Sequence, residues 1–103
     1  MTLTLQIDGK EKTFVVDFIS TRMLRRTISL TKTLNFEDIS PEELDQLAQF
    51  LVDLYGKAFT VDDLYDGLPS SQFIPTITES ISGVVNGLAD ATSAAESGEG
   101  KNG

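Results

Sequence analysis

At 103 residues and 40% apolar content, the chain is long enough for one small domain with one core and too apolar to be globally disordered. It has neither cysteine nor histidine, which removes disulfides, thiolate chemistry and the usual general base near neutral pH, and leaves zinc only carboxylates to bind. A formal net charge of -8 disfavours broad binding to phosphate backbones. No apolar run nears the ~20 residues of a membrane helix, and the opening MTLTLQIDGKEK does not pattern as a secretory signal.

Residues 2–7, TLTLQI, alternate polar and apolar, so Leu3, Leu5 and Ile7 fall on one side of a half-buried strand. Asp8-Gly9 follows, a dipeptide suited to the two positive-φ positions of a tight hairpin turn. Residues 12–18, KTFVVDF, are β-branched and aromatic and predict the return strand. An isolated hairpin is marginal, so this one must lie on the helices that follow.

Ser20 or Thr21 can cap a helix over residues 21–34, with Met23, Leu24, Ile28, Leu30 and Leu34 facing the core. Ser40-Pro41-Glu42-Glu43 is a stronger start: an N-cap serine, proline at the first helical position and glutamate at N3. Leu44, Leu47, Ala48, Leu51, Leu54 and Tyr55 then share one face, which predicts a helix over residues 41–55 with Gly56 as its left-handed stop.

Residues 59–69, FTVDDLYDGLP, hold three aspartates, and the question they raise is whether Asp62, Asp63 and Asp66 bind an ion. Thr60 and Asp63 have the capping-box spacing, Gly67 can end the turn, and Pro69 blocks its continuation. A calcium loop needs oxygen ligands at alternating positions and a later bidentate glutamate, and Leu64 and Tyr65 interrupt that pattern. The run therefore predicts a short helix over residues 61–66 and no metal or other cofactor. A last helix begins near Ser70 or Ser71 and carries the stripe Phe73, Ile77, Ile81, Val84 and Leu88; Pro75 is tolerable in or just after its first turn. Gly83 and Gly87 weaken this helix and permit close approach. From Ala91 onward the residues are small and polar, which predicts one α+β domain over residues 1–90 and a disordered tail over residues 91–103.

Two constellations are candidates for partner binding. Arg22, Arg25 and Arg26 form a basic patch, either a docking surface for an acidic partner, another copy of the chain included, or a solvated face with local ion pairs worth ~0.5 kcal/mol each. Glu42, Glu43, Asp45 and Asp53 are its acidic counterpart on the second helix. Phe73, Ile77 and Ile81 are either core or an incompletely covered apolar stripe. Nucleic-acid binding lacks interleaved aromatics, paired catalytic carboxylates lack sugar platforms, and the terminal GEGKNG is no phosphate loop. No catalytic site assembles from these residues.

The stretches LTLQIDGKEKTFVVDFISTRMLRR, SPEELDQLAQFLVDLYGKAFTVDDLYDGL and QFIPTITESISGVVNGL, in that order and spacing, make the chain resemble the tail assembly chaperones of long-tailed bacteriophages. That group includes the G protein of phage lambda and its counterparts in phages of Gram-positive bacteria. The resemblance implies a hairpin followed by three to four helices and a non-enzymatic role in the host bacterial cytoplasm, outside the mature virion. The implied partners are the tape measure protein, kept soluble, and the tail tube protein, reached through a longer frameshifted form. Gly100-Lys101-Asn102 is compatible with an A-rich slippery run in the gene. The alternatives are a small structural tail or head-completion protein, or a regulatory adaptor domain that binds through the arginines.

Overall fold

Asp8 and Gly9 both take positive φ, 55° and 77°, and turn the chain back on itself. In the computed structural model, which describes residues 1–86, strands β1 (Thr2–Ile7) and β2 (Lys10–Val15) pair antiparallel from Ile7 opposite Lys10 to Thr2 opposite Val15. The return strand starts at Lys10 and stops at Val15, earlier at both ends than residues 12–18. The tight turn brings Lys10 into register at once. The other end is set by β1: the Val16 N–H donates to the Met1 carbonyl at 3.0 Å, and Asp17 and Phe18 have no strand left to pair with. Leu3 and Leu5 face inward and are buried. The outer face is polar, with the Thr4 and Thr13 hydroxyls 2.9 Å apart and Gln6 Nε2 donating to Glu11 at 3.2 Å.

Helix α1 (Thr21–Thr33) is capped by Ser20, whose hydroxyl accepts from the Met23 N–H at 3.1 Å. Its fully buried residue is Thr27, whose hydroxyl donates to the Met23 carbonyl at 2.8 Å and so enters the core satisfied. Ile28, expected inside, is 43% exposed, because the buried line of α1 runs through Met23, Thr27 and Leu30.

Helix α2 (Pro41–Leu54) is the central element and buries Leu47, Ala48, Phe50, Leu51, Val52 and Leu54. Its start is the expected capping box: the Ser40 hydroxyl accepts from the Glu43 N–H at 3.1 Å, and the Glu43 carboxylate accepts from the Ser40 N–H at 2.9 Å. Its end is a Schellman turn, with Lys57 N–H to the Val52 carbonyl (2.8 Å) and Gly56 N–H to the Asp53 carbonyl (3.1 Å). Gly56 is left-handed at φ 70°, and Lys57 follows at φ 60°.

Helix α3 (Val61–Gly67) includes Gly67, which is not the left-handed stop expected of it. A Cβ there would lie 2.6 Å from the Gln6 carbonyl oxygen, so glycine is needed for helix and strand to touch. Helix α4 (Ser70–Asn86) keeps Pro75 as its sixth residue, one position beyond the first turn and a half, where the Ser71 carbonyl loses its intrahelical donor.

The hairpin lies on α3 through β1, α1 packs on α4, and α2 packs on α3 and α4. Leu5, Leu47, Phe50, Leu51, Leu64 and Ile77 meet at the centre. Phe14 joins edge-on to Phe59 at 4.9 Å, tying β2 to the loop after α2. Over the described residues the fold is α+β, a two-stranded hairpin followed by four helices. The expected tail over residues 91–103, and Gly87 and Leu88 of the expected stripe, lie outside the described residues.

Candidate protein interaction site

Two of the three aspartates of α3 are accounted for by the start of the helix. Asp63 Oδ2 accepts from the Thr60 N–H at 3.0 Å while the Thr60 hydroxyl accepts from the Asp63 N–H at 3.0 Å, and Asp62 sits beside it in the first turn. Among the described residues no cluster of three metal-ligating side chains occurs.

The arginines divide. Arg26 reaches across to α2 and pairs with Asp53 at 2.5 Å, and its guanidinium carbon lies 5.9 Å from the centre of the buried Phe50 ring. Partial burial raises the Asp53 carboxyl, but hydrogen bonds from Arg26 and Gln49, and the charges of Arg26 and Lys57, outweigh it and hold its pKa below the ordinary value. Arg26 is thus committed within the fold. Arg22 and Arg25 are exposed, and among the described residues neither has a carboxylate within 4.0 Å. With Ser29, Thr33 and Gln46 the arginines line an open cleft of about 440 Å³ between α1 and α2.

The predicted apolar stripe also divides. Ile77 is fully buried and belongs to the core, so its side chain is not available to a partner in this structure. Ile81 is half-buried against that core. Phe73 alone lines a groove, of about 440 Å³, which Pro41, Leu44, Leu64, Leu68 and Ile74 complete. Three helices build it: the start of α2, the end of α3 and the start of α4. At its rim the Tyr65 hydroxyl donates to Asp45. Desolvation, that hydrogen bond, and the charges of Asp45 and Asp62 push the Tyr65 pKa up to about 12, so the rim holds an anion and a neutral phenol at neutral pH. A groove with an apolar floor and a carboxylate at its edge suits the apolar face of a helix with basic flanks. Leu44, Leu68 and Ile74 were not legible as site residues. The one available signal was that each lies within one turn of a helix end, where a neighbouring element leaves it half covered.

A third surface is the free edge of β2. Among the described residues no helix packs closely on that strand, and Val15 is 56% and Phe18 75% exposed beside it. Lys10, Glu11 and Lys12 guard its first half with charge.

Among the described residues no helix is long and apolar enough to cross a membrane. A search of curated proteins and of solved structures gave no match. The family model described as phage tail chaperone protein matches residues 1–101, nearly the whole chain. The chain therefore belongs to the phage tail chaperones, a family with an assembly role.

Proposed function

We propose that this chaperone holds the tape measure protein in soluble form within the infected bacterium and helps bring tail tube subunits to it. The observation that carries the reading is the apolar groove of Leu44, Leu64, Leu68, Phe73 and Ile74 on a member of a tail chaperone family. A tape measure offers long amphipathic helices, and a groove of this kind takes residues at i, i+3, i+4 and i+7 of one of them. Many copies along one chain gain avidity from modest single affinities. The chaperone's charge of -8 then keeps the coated chain soluble by mutual repulsion. Tube subunits are reached through a longer form, made by frameshifting near the codons for Gly100, Lys101 and Asn102.

The test is co-expression with the long protein encoded just downstream in the genome. That protein becomes soluble and co-purifies with the chaperone, and Leu44→Glu or Ile74→Glu abolishes both effects while the chaperone's own melting curve is retained. If the long protein stays insoluble beside a well-folded chaperone, the reading is wrong. Finding the chain in purified particles moves it to the virion components instead. Mass spectrometry that finds no longer product, or a gene without a slippery run, removes the frameshifted form.

A further inference from the structure

The charges of this chain are segregated. Residues 17–34 carry four cations and one acid, whereas residues 35–66 carry nine acids and one lysine. Four of those nine acids are already engaged. Glu43 and Asp63 close capping boxes, Asp45 accepts from Tyr65, and Asp53 holds Arg26. Arg22 and Arg25, at the mouth of the cleft between α1 and α2, are not engaged among the described residues.

The end of α4 points to what answers them. Val84, Val85 and Asn86 lie beside Ile19, Ser20 and Leu24 around a shallow hollow, so Asn86, the last described residue, stands next to the first turn of α1. Asp90 follows four residues later, and Glu96 and Glu99 after it, with Lys101 the one cation of residues 87–103. Four extended residues span up to ~14 Å. Arg25 is one helical turn from Thr21, a rise of ~6 Å. Thr21, Arg25 and Lys32 share one exposed line of α1, between the hollow and the cleft.

We propose that the cleft between α1 and α2 is a site for a carboxylate-bearing extended chain, and that its occupant is this protein's own acidic segment, Asp90 to Glu99, laid across Arg25 into the reach of Arg22. Tethering decides between this segment and a second copy. A carboxylate on a short leash acts at an effective concentration of order mM, far above that of free copies in a dilute solution. Guanidinium groups accept carboxylates through paired N–H donors, and Ser29, Thr33 and Gln46 supply further polar contacts in the same cleft. The contact is electrostatic and exposed, so salt weakens it.

Because the chain has no cysteine, Ser97→Cys gives a single position for a nitroxide, between Glu96 and Glu99. In the full-length protein at low salt, the amide signals of Arg22, Arg25 and Ser29 should lose most of their intensity, while those of Tyr65 and Asp66, beside the opposite end of α4, keep theirs. The lost signals should return on adding salt, in Arg22→Gln/Arg25→Gln, which changes two exposed residues, and in Asp90→Asn/Glu96→Gln/Glu99→Gln. Unchanged α1 signals at low salt overturn the proposal. So does broadening that survives both sets of substitutions. An isotope-labelled chain without nitroxide, mixed with a nitroxide-bearing unlabelled chain, gives the last arm: broadening there of the same strength assigns the cleft to a second copy and refutes the internal occupant.

Discussion

Replacing Gly67 by alanine tests how the hairpin is held. In a helix, alanine is favoured over glycine by up to ~1 kcal/mol, so propensity alone predicts a more stable protein. The structure predicts the reverse. The new Cβ would stand 2.6 Å from the Gln6 carbonyl oxygen, 3.1 Å from its nitrogen and 3.3 Å from its carbonyl carbon. All three are backbone atoms of β1, so no side chain can swing aside. Either the strand lifts from α3 or the helix end unwinds, and overpacking against unyielding backbone falls in the upper part of the usual range, ~2–3 kcal/mol. After the propensity gain we expect a net loss of ~1–2 kcal/mol, or roughly 5–15 °C in Tm for a domain of this size. Gly56 is the control. Its φ is 70° with nothing within 4 Å of an added Cβ, so alanine there pays for left-handed backbone rather than for a clash. Asparagine, which tolerates the left-handed region, should relieve Gly56→Ala, whereas Gly67→Asn should be worse than Gly67→Ala. Urea unfolding followed by far-ultraviolet circular dichroism measures all four. A Gly67→Ala protein as stable as the parent, or a Gly67→Asn protein no worse than it, refutes the close-approach account.

The other predictions concern caps and charges. Ser40→Ala and Thr60→Ala each remove the acceptor of a capping box and should each cost ~1 kcal/mol in urea unfolding, with the double variant close to the sum because the two caps share no partner. The Asp53 pKa is lowered by folding, so its contribution is present at neutral pH and is lost as pH falls through the acid range below ~4. Asp53→Asn should therefore flatten the acid limb of the stability curve, by less than ~1 kcal/mol because Arg26 is 39% exposed. Tyr55, raised to about 12 by burial and the charge of Glu79, and Tyr65, raised to about 12, both prefer the neutral phenol in the fold. Their stabilisation is complete below the unfolded value of ~10 and is lost as pH rises from there towards 12, so tyrosinate absorbance should appear together with loss of helix signal and not before it.

What the sequence made legible was local. Asp8-Gly9, Ser40 to Glu43 and Thr60 to Asp63 each carry their instruction within four residues, and each forms the turn or cap that its chemistry dictates. What it hid depends on residues far apart. β2 ends at Val15 because β1 begins at Thr2, a fact no reading of KTFVVDF contains. Gly67 looks like a stop because glycine often is one, and its partner Gln6 lies some sixty positions away in the chain. Arg26 is separated by 27 positions from the Asp53 with which it pairs. Phe73, Ile77 and Ile81 recur at four-residue steps along α4, but periodicity cannot say where along a helix its neighbours stop covering it.

That last point bears on how the groove could work. Phe73 and Ile77 are one turn apart on the same face of α4, yet one lines the groove and the other is sealed in the core. Leu64 touches both regions, fully buried and at the groove floor. The groove is thus the outer edge of the core, left open where α2, α3 and α4 diverge. In the proposed role, a helix laid there adds a further layer to that core, and its apolar face is removed from water along with Phe73 and Leu44. Binding and folding then draw on the same contacts, so occupancy should raise the stability of the chaperone by mass action. The acidic rim limits the hazard of the open state. Asp45 stands at the groove and Glu42 and Glu43 in the same first turns of α2, so two empty grooves repel each other while a basic-flanked helix is drawn in.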